Sequence, residues 1–171
     1  PFMAMGADSF LGEKIIQQSE AAFPDFIFLP ILRITCSEEH EGFLGTTWLT
    51  RETMVAVLKD ISHSLAPYAR TLAFASFHGG NLELLDQFVA ENKNAFGAVQ
   101  LVHIPTGSEE TEERMRQLIG GPTDEHAGNV ELSMVLTCDD SYVSIPPTYY
   151  PKHAIKDPFS ANHLKDFSVD G

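Results

Sequence analysis

Aspartate, histidine and glutamate stand at three places where this chain could present them to a ligand: Asp8, His78 and Glu131. These are oxygen and nitrogen donors of the kind that divalent zinc, manganese or iron accept. One carboxylate can bridge two such ions and hold them close enough to activate a water between them. His78 lies in Phe77-His78-Gly79-Gly80-Asn81, at the end of one apolar run and the start of another. The glycines would let the backbone turn sharply and approach a ligand closely. Taken alone, the tetrapeptide equally describes a glycine turn with a surface histidine. Asp8 alone reads as a helix N-cap. Glu131 sits among Val130, Leu132, Met134, Val135 and Leu136, so it is either on an exposed stripe or buried with a partner. His126 fits a loop histidine without a role. His63, His103, His153 and His163 read as structural or surface residues. The three donors are far apart in sequence, and spacing by itself does not bring them together.

The elements that must position them alternate. Residues 8–22 have a helical pattern, with Asp8 or Ser9 as N-cap and Leu11, Ile15 and Ala22 on one side. Residues 26–34 read as a buried strand interrupted by Pro30, and residues 35–50 as a loop. Thr50 caps a helix to about Ala66, with Met54, Leu58, Ile61 and Leu65 facing the core. A buried strand is expected at 71–77, followed by the glycine corner. A helix over 82–96 follows, with Leu82, Leu85, Phe88 and Val89 at helical spacing. Residues 98–104 form a further strand candidate. Ser108 caps a polar helix to Ile119, residues 120–128 are a Gly/Pro loop, and residues 129–138 form a short apolar helix. The alternation predicts an α/β fold, a mainly parallel sheet flanked by helices, in one domain over residues 1–145. Residues 146–171, rich in proline and aromatics, read as an extended tail packed on the core or on a neighbouring subunit.

Composition narrows the partners. The 171 residues are 43% hydrophobic, enough for a core and against global disorder. Eleven basic against 24 acidic residues leave a net charge of −13. That argues against nucleic acid, whose affinity comes largely from Lys and Arg, and against an anionic membrane surface. The acidic run Glu109, Glu110, Glu112 and Glu113 reads as a solvated first helical turn. Cys36 and Cys138 make no disulfide framework and read as reduced core residues. No apolar stretch approaches a membrane span and no signal peptide is recognisable, so a cytoplasmic protein is expected.

Four segments together resemble the creatininase (creatinine amidohydrolase) superfamily. Gly6-Ala7-Asp8 resembles the end of an E-x-H-G-P-H-L-P-L-G-T-D signature. The run Ser37-Glu38-Glu39-His40-Glu41-Gly42-Phe43-Leu44-Gly45-Thr46 resembles S-x-E-H-x-x-F-P-G-T. His78-Gly79-Gly80-Asn81 matches an H-G-G-N corner, and His126-Ala127-Gly128 with Glu131-Leu132-Ser133 resembles H-A-G-x-x-E-T-S. The resemblance implies a metal-dependent amidohydrolase that cleaves a non-peptide or unusual amide C–N bond in a small molecule. It implies divalent ions (zinc, manganese or iron), two per subunit, with Asp8 bridging, His78 on one ion and Glu131 on the other. His126 would act as a general acid/base, with Glu131 completing the catalytic set. Gly79, Gly80 and Asn81, together with Glu39, His40 and Phe2, would shape the substrate site. A homo-oligomer, a hexamer in many relatives, is also implied.

The sequence departs from the pattern at its edges. The family's Glu-x-His ligands and first strand lie before the position matched by Pro1, and a C-terminal segment lies beyond Gly171. The expectation is therefore that residues at both ends of the domain are missing from this sequence. Phe2, Met3 and Ala4 replace His-Leu-Pro, which makes that edge of the site more apolar. Two other readings stay open: a non-catalytic relative acting as a binding or assembly subunit, and a nucleotide-binding doubly wound domain. The second lacks both Gly-x-Gly-x-x-Gly and a Walker loop.

Overall fold

The computed structural model describes residues 6–106, 109–119, 129–139, 141 and 143. Phe2, His126, the 120–128 loop, the Ser108 cap and the tail at 146–171 lie outside them. The chain divides into two compact units: residues 1–33, 39–45 and 107–171 form the first, and residues 34–38 and 46–106 the second.

In the first unit, α1 spans Ala7–Ala22, α4 spans Glu109–Ile119 and α5 spans Asn129–Cys138. The start of α1 differs from the expected cap. Gly6 is the N-cap, in a left-handed conformation at φ 85°, and no side chain closes the first turn. Only glycine adopts that angle without strain. Asp8 therefore lies inside the first turn, where a carboxylate complements the helix dipole. The inward face also shifts. Ala7, Phe10, Leu11 and Gly12 are buried, whereas Ile15 and Ala22 are exposed. Phe10 and Leu11 pack with the fully buried Val135 of α5, and Val143 covers the cluster. Cys138 is exposed at the end of α5, so it is not a core residue.

Just past α5, the Asp139 carboxylate accepts from the Ser141 hydroxyl at 2.6 Å and the Ser141 N–H at 3.0 Å. These bonds, with a smaller contribution from Lys14, hold the Asp139 carboxyl below the usual carboxylate range. The depressed value means that the folded state prefers the ionised form. The contribution to stability is present above the ordinary carboxylate value and lost as pH falls through the folded one. Ser141→Ala is expected to move the Asp139 titration back up toward the ordinary range. An NMR pH titration that leaves it unmoved would remove this account.

The 26–34 run is not a strand. It is irregular and largely open to solvent, with Ile27 91% exposed and Phe26, Leu29, Leu32 and Ile34 also exposed. A buried strand needs neighbours for its backbone groups. Among the described residues the sheet consists of β1 and β2 alone, and Pro30 withholds a donor.

The second unit holds α2 (Arg51–Leu65), β1 (Thr71–Ala75), α3 (Leu82–Glu91) and β2 (Gln100–Ile104). Thr50 caps α2 as expected, its hydroxyl accepting from the Thr53 N–H at 3.3 Å. Met54 and Leu58 are buried on α2, and the third buried position is Ser62 rather than Ile61 or Leu65. Ser62 is accommodated because its hydroxyl donates to the Leu58 carbonyl at 2.7 Å. β1 and β2 pair in parallel from Thr71↔Gln100 to Ala75↔Ile104. β1 stops two residues short of the expected end. It is covered on one face only: Leu72 and Phe74 point to the core while Thr71, Ala73 and Ala75 are exposed.

α3 ends at Glu91 rather than 96. Asn92 terminates it: its side-chain amide and its backbone N–H both donate to the Phe88 carbonyl, at 2.8 and 3.1 Å. Leu84, Leu85 and Phe88 form its buried face, and Leu82 is exposed. These residues meet Met54, Leu58, Phe96, Val99 and Leu101 in one core, with Cys36 half-buried against it. A parallel strand pair with helices is the expected α/β class.

Candidate functional site

The corner after β1 is where the second unit concentrates buried polar groups. His78 is extended (φ −121°, ψ 122°), and Gly79–Asn81 then form one turn of 3-10 helix leading into α3. The glycines are not used for left-handed geometry. Among the described residues the positive-φ glycines are Gly6, Gly42, Gly45 and Gly97, so the turn at Gly79 and Gly80 runs through ordinary helical angles.

Ser76 lies under this turn, 8% exposed, and Asn81 is 3% exposed. The Ser76 hydroxyl donates to the His78 carbonyl at 2.9 Å and accepts from the His78 N–H at 3.1 Å. It also accepts from Asn81 Nδ2 at 3.2 Å. Asn81 Nδ2 gives its other hydrogen to Thr35 Oγ1 at 2.9 Å. The Ser76 carbonyl accepts from Thr106 Oγ1 at 2.6 Å, which ties the ends of β1 and β2 together. The imidazole of His78 is half-buried, with Ser37 Oγ 3.3 Å from Nε2. Ser37 has one hydroxyl hydrogen and donates it to the Cys36 carbonyl at 2.8 Å. With that hydrogen so used, the contact to His78 is made by Nε2–H as donor.

Thr35, Ser37, Ser76 and Thr106 were not among the residues expected from sequence. Ser76 carried a signal, a hydroxyl in an apolar run two residues before the histidine, but it read as strand interior. His103 is structural, as expected. Its side chain is 8% exposed and its Nδ1 lies 2.7 Å from Asp86 Oδ1 on α3.

The other expected donors belong to the first unit. Asp8 is half-buried in the first turn of α1 and Glu131 half-buried in the first turn of α5, two helices that pack together. Glu39 and His40 lie on a single 3-10 turn, with Glu39 Oε1 3.2 Å from His40 Nδ1 and both side chains largely buried. A carboxylate and an imidazole with ligand atoms this close are chemically suited to share a divalent ion.

The comparisons with known proteins decide the family. The creatinine amidohydrolase family profile matches residues 1–171. The chain belongs to the creatininase family. Its relatives include the mycofactocin precursor peptide peptidase of Mycobacterium ulcerans, 31% identical over 117 residues, or 66% of this chain and 40% of that protein. The peptidase of the same name in Mycolicibacterium smegmatis is 30% identical over 84 residues, covering 49% of this chain and 34% of that one. This creatininase-family chain thus spans well under half the length of the curated relatives it matches. Among solved structures, a creatininase carrying a tryptophan-to-phenylalanine mutation superposes with a TM-score of 0.64 at 20% identity. The match covers 92% of this chain and 70% of that one, which establishes the creatininase fold. Among the described residues, no helix is long and apolar enough to cross a membrane.

Proposed function

We propose that this chain provides the core of a metal-dependent amidohydrolase that cleaves a non-peptide or unusual amide C–N bond of a small molecule. The observation that carries the reading is the braced corner at His78, a half-buried imidazole whose backbone is hydrogen-bonded on both sides. The backbone bonds fix where the side chain starts, and the Ser37 contact at Nε2 is the kind of outer bond that orients the ring of a ligand histidine. The donor chemistry fits a divalent ion of the zinc, manganese or iron class. Asp8, His78 and Glu131 would hold the ions, two per subunit, and Glu39 and His40 add a carboxylate and an imidazole of the same character. When bound, such an ion polarises a carbonyl oxygen and makes a water nucleophilic near neutral pH.

The chain's own residues do the rest. Ser37 keeps the Nε2 proton of His78 engaged, and Asn81 fixes the start of α3 behind it. His126 would deliver a proton to the departing nitrogen, a task suited to an imidazole. Phe2 would present an apolar edge to the substrate. A cytoplasmic homo-oligomer acting on a small amide, without nucleic acid or membrane, completes the reading.

The test is metal stoichiometry on protein purified without added metal or chelator. About two transition-metal ions per chain are expected. None, even after incubation with zinc, manganese or iron, would replace this reading with a non-catalytic binding or assembly subunit on the same fold.

A further inference from the structure

We propose that Ser76 is a positioning residue for His78, setting the affinity of the corner for a divalent ion. The inference rests on the reading of His78 as a metal ligand. A serine hydroxyl has one hydrogen to give and two lone pairs. At Ser76 all three are used. The hydrogen goes to the His78 carbonyl, and the lone pairs take the His78 N–H and one Asn81 amide hydrogen. One oxygen atom thus grips the backbone of His78 before and after its Cα, which fixes the origin of the imidazole. The same atom orients Asn81, whose remaining amide hydrogen reaches Thr35 Oγ1. Asn81 Oδ1 is buried and meets no donor among the described residues, so Asn81 depends on these two bonds to stay in place.

Burial rules out water as a ready substitute. Ser76 is 8% exposed and Asn81 3% exposed. Removing the hydroxyl leaves the His78 N–H, the His78 carbonyl and an Asn81 hydrogen seeking partners together. The turn must shift to satisfy them, and His78 shifts with it. Thr106 supplies an internal contrast, since it holds the same corner through the Ser76 carbonyl and leaves the hydroxyl's three bonds intact.

The experiment is a competition titration of zinc ion against a chromophoric chelator, on wild type, His78→Ala, Ser76→Ala, Ser76→Thr and Thr106→Val. Ser76→Ala is expected to weaken zinc binding by about 10–100-fold, the range for loss of a group that orients a metal ligand. Ser76→Thr, which keeps the oxygen, is expected to restore most of it, and Thr106→Val to stay close to wild type. Should Ser76→Ala fail to fold, Ser76→Cys gives the same comparison with weaker hydrogen bonds at nearly the same volume. If Ser76→Ala binds zinc like wild type, or loses no more than Thr106→Val, the positioning role is wrong while His78 remains a ligand. If His78→Ala binds zinc as tightly as wild type, the reading of His78 itself fails, whatever Ser76 does.

Discussion

Phe88→Ala is expected to destabilise the chain by about 3–5 kcal/mol, the range for deleting a buried phenyl ring. Phe88 is 1% exposed. Its ring meets Phe74 edge-on, with centroids 5.6 Å apart, and Phe96 at 6.5 Å. The ring therefore joins β1, α3 and the turn after α3. Because small domains are stable by only about 5–15 kcal/mol, the variant should sit near the edge of folding. Leu82→Ala, at the exposed start of the same helix, is the contrast and should cost far less. Denaturant titration of both variants makes the comparison. Equal losses would mean that α3 does not bury the face described.

The second large effect concerns the metal. An ion bound to the folded state and not to the unfolded one stabilises by about 2.7 kcal/mol at a hundredfold excess over its dissociation constant. Stripping the protein with chelator is therefore expected to lower its melting temperature by several degrees, and returning zinc should restore it. His78→Ala is expected to melt at one temperature with or without chelator. A wild-type protein indifferent to chelator would remove both the catalytic and the structural role of a metal.

Much of the second unit was legible because its signals are local. Thr50 caps the helix that begins beside it, and Leu85 and Phe88 recur at the helical period. The same rule shows where legibility ended. Periodicity placed Leu82 inside and missed Leu84, because the first turn of α3 is set by the 3-10 turn before it. The run at 26–34 has the composition of a buried strand, yet composition does not supply a neighbouring strand, and most of its side chains are exposed. Asn92 ended α3 early through a side-chain bond to Phe88, which competes with the helix and leaves no periodic trace.

The candidate site divided in the same way. His78 was found by its glycines, though the structure uses them for a tight 3-10 turn rather than for positive φ. Its supports come from four hydroxyl residues scattered from Thr35 to Thr106. Their bonds span up to 46 residues of sequence, a separation at which no spacing rule operates. Family likeness reached Asp8 and Glu131 without saying how either is held, and the helices that carry them are now described.

The pairing of β1 with β2 has a consequence for the order of folding. Partners such as Thr71 and Gln100 are separated by the corner and by all of α3, so the chain must close a long loop before the first rung forms. Loop closure costs entropy that later contacts repay. α3, with its local bonds, can form ahead of that closure. The Thr106 to Ser76 bond cannot, because it joins the far ends of both strands. The histidine corner is thus completed only when the sheet is. An unfolded or half-folded chain would hold the same residues in sequence but would lack the geometry to grip an ion.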